Sequence, residues 1–180
     1  MRTSRRRFVA NGALLTAAGC ASTARAEVAA ADAATIKLVV IGRVEGKDKE
    51  VAIRLSDAYA DGLLGLDQWS HVQVLYWLDK NDTPQKRNVL RVHPRGNREN
   101  PLTGVFACRS PMRPNVIGLS VCRILSVEGS LVRLEGLDAF DGTPVLDLKP
   151  YIPTDAPTQG VKVPDWARRG PGGPGGHNHG

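Results

Sequence analysis

No Gly-x-Gly-x-x-Gly follows a strand-like run in this sequence, and strand patterns never alternate with helical ones. Both absences exclude a doubly wound, dinucleotide-type domain. Long apolar runs are missing too. The stretch from Phe8 to Ala18 falls far below the ~20 apolar residues of a membrane-spanning helix, so no transmembrane span is expected. Cysteine is scarce, with Cys20, Cys108 and Cys122 only. Neither Cys108 nor Cys122 stands beside a histidine and an acid, which argues against a thiol nucleophile. Both read as small core residues on neighbouring strands rather than as a disulfide. Of the four histidines, His177 and His179 lie in a Pro/Gly tail that lacks the third and fourth ligands a metal site requires, so no metal is expected.

Acids are absent before Glu27. The first 26 residues, MRTSRRRFVANGALLTAAGCASTARA, pass from a basic start into a weakly apolar run and read as an export signal. Ser4-Arg5-Arg6-Arg7-Phe8 resembles the twin-arginine motif of folded-protein export. Cleavage after Ala24-Arg25-Ala26 releases a periplasmic or secreted chain starting at Glu27. Ala17-Ala18-Gly19-Cys20 resembles a lipobox and offers the alternative of a lipid anchor on Cys20. If the signal goes unused, the protein is cytoplasmic. Without these residues, which hold five arginines and no acid, the net charge falls from +6 to +1. Any anion site must therefore rest on local clustering rather than on global charge.

At 180 residues, 42% apolar and 23% charged, the chain is long enough for one globular domain and not for two. After an alanine-rich spacer at 27–34, Thr35–Glu45 predicts a buried strand and Val51–Leu55 a second, joined around Gly46-Lys47-Asp48-Lys49. Gly62 and Gly65 break the run Asp57–Gln68 into a helical turn and loop. Val72–Leu78 predicts a central strand. Further short strands are expected at Asn88–Val92, Val105–Ala107, Leu119–Val127, Leu131–Glu135 and Val145–Leu148, with a hairpin turn at Gly129-Ser130. Short strands about ten residues apart, with almost no helical periodicity, predict an all-β, mainly antiparallel fold. Its form is a small closed or nearly closed β-barrel with short helical turns, spanning 35–153. Residues 154–167 form a C-terminal extension, with Val161–Trp166 lying across the barrel, and 168–180 a disordered Pro/Gly/His tail.

Between Arg91 and Pro114 lie Arg91, His93, Arg95, Arg98, Arg109 and Arg113, interleaved with four prolines and two glycines. Stiff, turn-rich backbone of this kind holds guanidinium groups at fixed places and points to a polyanion or nucleotide. Asp141-Gly142-Thr143-Pro144 adds a tight turn with a carboxylate and a hydroxyl, although that tetrapeptide alone is a common β-turn.

Together WSHVQVLYW, HPRGN, GVFACRSPMRPN, IGLS and LDAFDGTPVLDLKPY, from about Trp69 to Pro153, resemble the signature stretches of the TsaA/TrmO-like family. Those are small β-barrel proteins that use S-adenosylmethionine to methylate, at N6, a threonylcarbamoyl-modified adenosine beside the tRNA anticodon. The resemblance implies methyl-donor binding by Arg109, Leu119, Asp141, Gly142, Thr143 and Pro144. It implies an RNA-facing surface at Arg113 and Asn115, with His93, Arg95 and Asn97 beside them, and a homodimer with pockets near its interface. Asp79-Lys80 stands where the family has His-Gln, and Cys108 where Thr is usual. No catalytic side chain is singled out, because methyl transfer to nitrogen demands alignment with the donor more than a strong acid or base. Two functions follow. One is an S-adenosylmethionine-dependent tRNA methyltransferase. The other is an exported, non-catalytic binding module that keeps the nucleotide-type pocket, since neither tRNA nor the donor is found outside the cytoplasm.

Overall fold

The computed structural model describes residues 35–47, 50–155, 157 and 159–168. The expected export signal, the spacer and the tail beyond Arg168 lie outside the described residues, as do Asp48 and Lys49 of the first hairpin. The chain divides between Lys37 and Leu38, and the barrel belongs to the second unit, Leu38–Gly180.

Among the described residues eight strands form: β1 (Gly42–Lys47), β2 (Glu50–Leu55), β3 (His71–Trp77), β4 (Arg91–Val92), β5 (Thr103–Gly104), β6 (Ile117–Glu128), β7 (Leu131–Glu135) and β8 (Pro144–Pro150). Six of them close into a barrel in the order β1-β2-β7-β6-β3-β8, and β8 returns to β1. Every pairing is antiparallel. Alternation along each strand dictates the closure. In β3, Val72, Val74 and Tyr76 face inward while His71, Gln73, Leu75 and Trp77 face outward. Val44, Ile53, Val72, Val74, Val132, Leu134 and Val145 fill the interior and are at most 1% exposed. β-branched side chains dominate that list because their stiff χ1 suits a pleated surface, and each burial contributes roughly 1.5–3 kcal/mol.

The interior is narrow. Tyr76 lies across it against Gly118, where a Cβ would collide with the ring. Only glycine fits there.

Four sequence expectations are corrected. The strand expected over Thr35–Glu45 begins at Gly42, and Ile36, Leu38, Val39 and Val40 before it are exposed. The β1–β8 ladder holds only two residue pairs, Gly42 with Val145 and Arg43 with Pro144, and before it the Ile41 N–H still donates to the Val145 carbonyl at 2.9 Å. Asn88–Val92 shrinks to β4, which pairs with β5 in a separate two-stranded sheet. Val105–Ala107 is a 3-10 turn, not a strand. The Val105 N–H donates to Leu90 and the Arg113 guanidinium occupies the Val105 carbonyl, which leaves no edge for a ladder. In the C-terminal extension, Val161 and Val163 are 60% and 38% exposed rather than buried across the barrel, and one helical turn forms at Asp165–Arg168.

Two 3-10 segments, Asp57–Leu63 and Leu66–Gln68, replace a helix where Gly62 and Gly65 interrupt the chain, as expected. A one-turn helix at Pro84–Arg87 was readable from Thr83-Pro84. The Thr83 hydroxyl oxygen accepts from the Lys86 N–H at 3.3 Å, and proline is preorganised for the first helical position.

Candidate functional site

Register brings the sequence-predicted residues to one end of the barrel. Trp77 stands opposite Ile117, Tyr76 opposite Val145 and Arg43 opposite Pro144. The last residues of β3 therefore meet the first residues of β6 and β8, and β1 starts beside the first residues of β8 and runs on past them along the turn that precedes β8. Every loop that carries a nominated donor-binding residue enters or leaves the barrel here, apart from Leu119 on β6 itself.

The turn Asp141–Pro144 is clamped onto β1. Gly142 N–H donates to the Val44 carbonyl at 2.8 Å, and Val44 N–H donates to the Thr143 carbonyl at 3.0 Å. The Arg43 guanidinium donates to the Gly142 carbonyl at 3.0 Å, and Asp141 Oδ1 accepts the Gly46 N–H at 3.0 Å. Gly142 has φ +79°, a conformation that disfavours any side chain. Thr143 is 3% exposed. Thr143 fixes the turn by burial and backbone, and the exposed acid of the turn is Asp141.

Arg109 sits on the loop between the 3-10 turn Val105–Ala107 and β6. It is exposed and makes no hydrogen bond or ion pair among the described residues. Arg113 differs. Its Nη2 donates to the carbonyls of Val105 at 3.0 Å and Cys108 at 3.5 Å, so this half-buried guanidinium shapes the loop that presents Arg109. A second clamp braces the loop's far end. Arg87 donates to Asp82 at 2.5 Å and to the Pro114 carbonyl at 2.9 Å, and the Trp77 indole N–H donates to Asp82 at 3.0 Å. The Arg87 guanidinium holds the Asp82 carboxyl below the usual carboxylate range.

Tyr76 reaches both the segment before the turn and β6. Its hydroxyl donates to the Asp138 carbonyl at 2.8 Å and lies 3.2 Å from Ser120 Oγ. Burial pushes the phenol pKa up, while the Ser120 hydrogen bond and the Arg109 charge pull it down. One buried side chain thus ties the segment before the turn to β6 and feels the guanidinium on the opposing loop.

Leu119 lies on the outer face of β6, 44% exposed and paired with Leu75 of β3. Leu119 thus lies on the outer surface where β6, β3 and β8 run side by side, while Arg109 and the turn sit on the loops that lead into β6 and β8. β6 and β8 are two strand spacings apart, about 10 Å. These elements carry an apolar pair, Leu75 and Leu119, the exposed Asp141 carboxylate, and the Arg109 guanidinium, which has no hydrogen bond or ion pair among the described residues. Such a donor set fits a ligand with a sulfonium, an adenine and a carboxylate. Sequence reasoning missed Tyr76, Ser120, Arg43, Lys80 and Phe140. The Phe140 ring, 55% exposed, lies beneath the Lys80 ammonium, 3.7 Å from its centroid. Period-two alternation in VQVLYW was the available signal for Tyr76; the others carried none.

Of the residues expected to face RNA, Asn115 is exposed. His93 and Asn97 serve their own loop. His93 Nδ1 bonds the Asn100 carbonyl at 2.8 Å, and Asn97 Oδ1 accepts the Glu99 N–H at 2.9 Å. Arg95 holds φ +60° in the tight bend before Gly96. Arg91 and Arg98 are exposed and form no ion pair among the described residues. Cys108 and Cys122 are free thiols, and burial pushes that of Cys122 up to about 11. Among the described residues no group of three or more His, Cys, Asp or Glu side chains is placed to hold a metal. A cavity of about 460 Å³ opens at the other end of the barrel, and none of the nominated residues lines it.

Comparison with known proteins agrees with this architecture. Residues 42–156 match the model of the tRNA-methyltransferase O N-terminal domain. An S-adenosyl-L-methionine-binding protein of Archaeoglobus fulgidus is 47% identical over 112 residues, 62% of this chain and 75% of that protein. A mouse tRNA (adenine(37)-N6)-methyltransferase is 48% identical over 90 residues, half of this chain but 20% of the mouse protein. The crystal structure of TrmO from Pseudomonas aeruginosa aligns with a TM-score of 0.55 at 30% identity, covering 73% of this chain and 64% of that one. The chain thus spans less than two thirds of the length of that TrmO structure. With the matched segment reaching from the first barrel strand past the last, this chain belongs to the tRNA-methyltransferase O N-terminal domain family.

Proposed function

We propose that this protein is an S-adenosylmethionine-dependent methyltransferase that methylates N6 of a threonylcarbamoyl-modified adenosine in tRNA. One observation carries the reading: the loop of Arg109, which makes no hydrogen bond or ion pair among the described residues, enters the barrel at the same end as the β1-clamped Asp141 turn. In this reading Arg109 pairs with the methionyl carboxylate of the donor. Asp141 and the carbonyls of its turn face the sulfonium, and Leu119 with Leu75 walls the adenosine. The donor supplies an electrophilic methyl group. The protein supplies alignment, so no general base is needed to explain the site. Exposed Arg91, Arg98 and Asn115 receive the RNA backbone. The outer face of β6, with Leu119, Val121 and Leu125 each about 45% exposed, is the surface on which a homodimer would form.

The names of the related proteins support the donor and the substrate class. The twin-arginine-like start supports export, to the periplasm or beyond, with loading of the donor before translocation. Incubation with labelled methyl donor and tRNA bearing threonylcarbamoyladenosine tests the activity. Label incorporated into that nucleoside, and lost in Arg109→Ala, is expected. Tight donor binding with no transfer to any tRNA would leave the non-catalytic binding module as the better reading.

A further inference from the structure

Phe106, on the segment that leads to Arg109, has no part in the site above. It is 79% exposed, whereas Val105 before it is 1% exposed. Hydrogen bonds fix the backbone on either side of the ring. The Val105 N–H donates to the Leu90 carbonyl at 3.0 Å, and Arg113 Nη2 donates to the carbonyls of Val105 at 3.0 Å and Cys108 at 3.5 Å. The ring therefore stands on a braced turn, and among the described residues it makes no stacking or cation–π contact. Two more apolar side chains belong to the same hydrogen-bonded unit. Leu90 and Leu102, 58% and 55% exposed, stand immediately before β4 and β5. Apolar side chains grouped in solvent on a fixed backbone mark a surface that something covers.

Charge selects the occupant. From Asn88 to Ser110 the chain carries Arg91, Arg95, Arg98 and Arg109 against one acid, Glu99. Arg91 lies opposite Gly104 in the β4–β5 ladder, and Gly104 is two residues before Phe106. Arg91 and Arg98 are exposed and form no ion pair among the described residues. A second copy docked symmetrically by this face would bring the same arginines against each other. Single-stranded RNA instead supplies phosphates for the guanidiniums and flat, unpaired bases for an aromatic ring.

On the reading of tRNA as the substrate, we propose that Phe106 is a base-stacking residue. Its ring takes the face of an unpaired base next to the target adenosine, while Arg91 and Arg98 hold the neighbouring phosphates.

NMR of the full chain with an anticodon stem-loop RNA tests this, the RNA bearing threonylcarbamoyladenosine and carbon-13 in its loop bases. The ring current of Phe106 should move the protons of one base beside the modified nucleoside upfield. Phe106→Ala should abolish that shift and weaken RNA binding about fivefold or more, the loss expected for one base stacked on an aromatic ring. The salt slope of binding and the affinity for S-adenosylmethionine should stay as they are. Phe106→Trp should restore both the shift and the affinity, and Phe106→Leu neither. Equal RNA affinity in the Leu and Trp variants, an unshifted loop, or no binding of this RNA by the wild-type chain would overturn the proposal. So would a change of oligomeric mass in Phe106→Ala on sedimentation, which would give the ring to a second copy, or a loss of methyl-donor binding. Methyl transfer is scored separately. Ring-dependent RNA binding without transfer would remove the methyltransferase reading and leave the stacking in place, whereas transfer with an unchanged KM for RNA in Phe106→Ala would do the reverse.

Discussion

Tyr76 and Gly118 occupy each other's space in the barrel, and the phenol hydroxyl reaches Asp138 at 2.8 Å. Gly118→Ala should therefore force the ring aside and cost about 1–3 kcal/mol, read as a lower Tm. Tyr76→Phe tests the other half of the contact. It keeps the packing but removes the hydrogen bond, at roughly 1 kcal/mol of stability, and should weaken methyl-donor binding because the segment leading into the Asp141 turn loses its tether. Cys122 makes a pH prediction. Its thiol is raised in the fold to about 11 from an ordinary value near 9, so below about 9 both folded and unfolded chains keep it protonated. Above that, only the unfolded chain ionises. Stability should fall as pH rises from about 9 toward 11, with Tyr76, also raised, adding to the loss. Cys122→Val should flatten part of the fall in urea denaturation measured across that range.

Among elements, the loop between β5 and β6 and the turn before β8 decide the site, and they differ in how legible they were. The barrel strands announced themselves. Alternating β-branched residues in VQVLYW and LVRLE, each bounded by turn residues, left little freedom of assignment. Val105–Ala107 misled because a valine followed by a phenylalanine looks like a strand locally. Arg113 reaching back across eight residues to its carbonyl is a tertiary event without a local signature. Arg113, which the family resemblance nominates to face RNA, also braces its own loop through the Val105 and Cys108 carbonyls. The Asp141 turn was legible as a turn, yet the clamp by Arg43 from about a hundred residues away was not. Arg113→Ala should lower donor affinity and stability together, because the loop loses its scaffold. Arg91→Ala with Arg98→Ala should leave the fold intact and reduce the magnitude of the salt slope of tRNA binding by about one to two, measured by filter binding over a salt series.

At the scale of the whole molecule, the arginines that form no ion pair among the described residues and could meet an anion, Arg91, Arg98 and Arg109, all lie between β3 and β6. The net charge of the sequence concealed this, because five of its arginines lie in the first 26 residues. We propose that those residues act as an export address. Fractionation of cells making a tagged full-length chain should find it outside the cytoplasm, and Arg5→Lys with Arg6→Lys should retain it inside. Export and methyl transfer need each other only through the donor site, so the donor site carries the account. Calorimetric titration of the full chain with S-adenosylmethionine tests it most directly. Micromolar binding is expected, weakened about tenfold or more in both Arg109→Ala and Asp141→Ala, as loss of a charge-assisted contact predicts. No heat at millimolar donor, or binding that both variants leave unchanged, would contradict it.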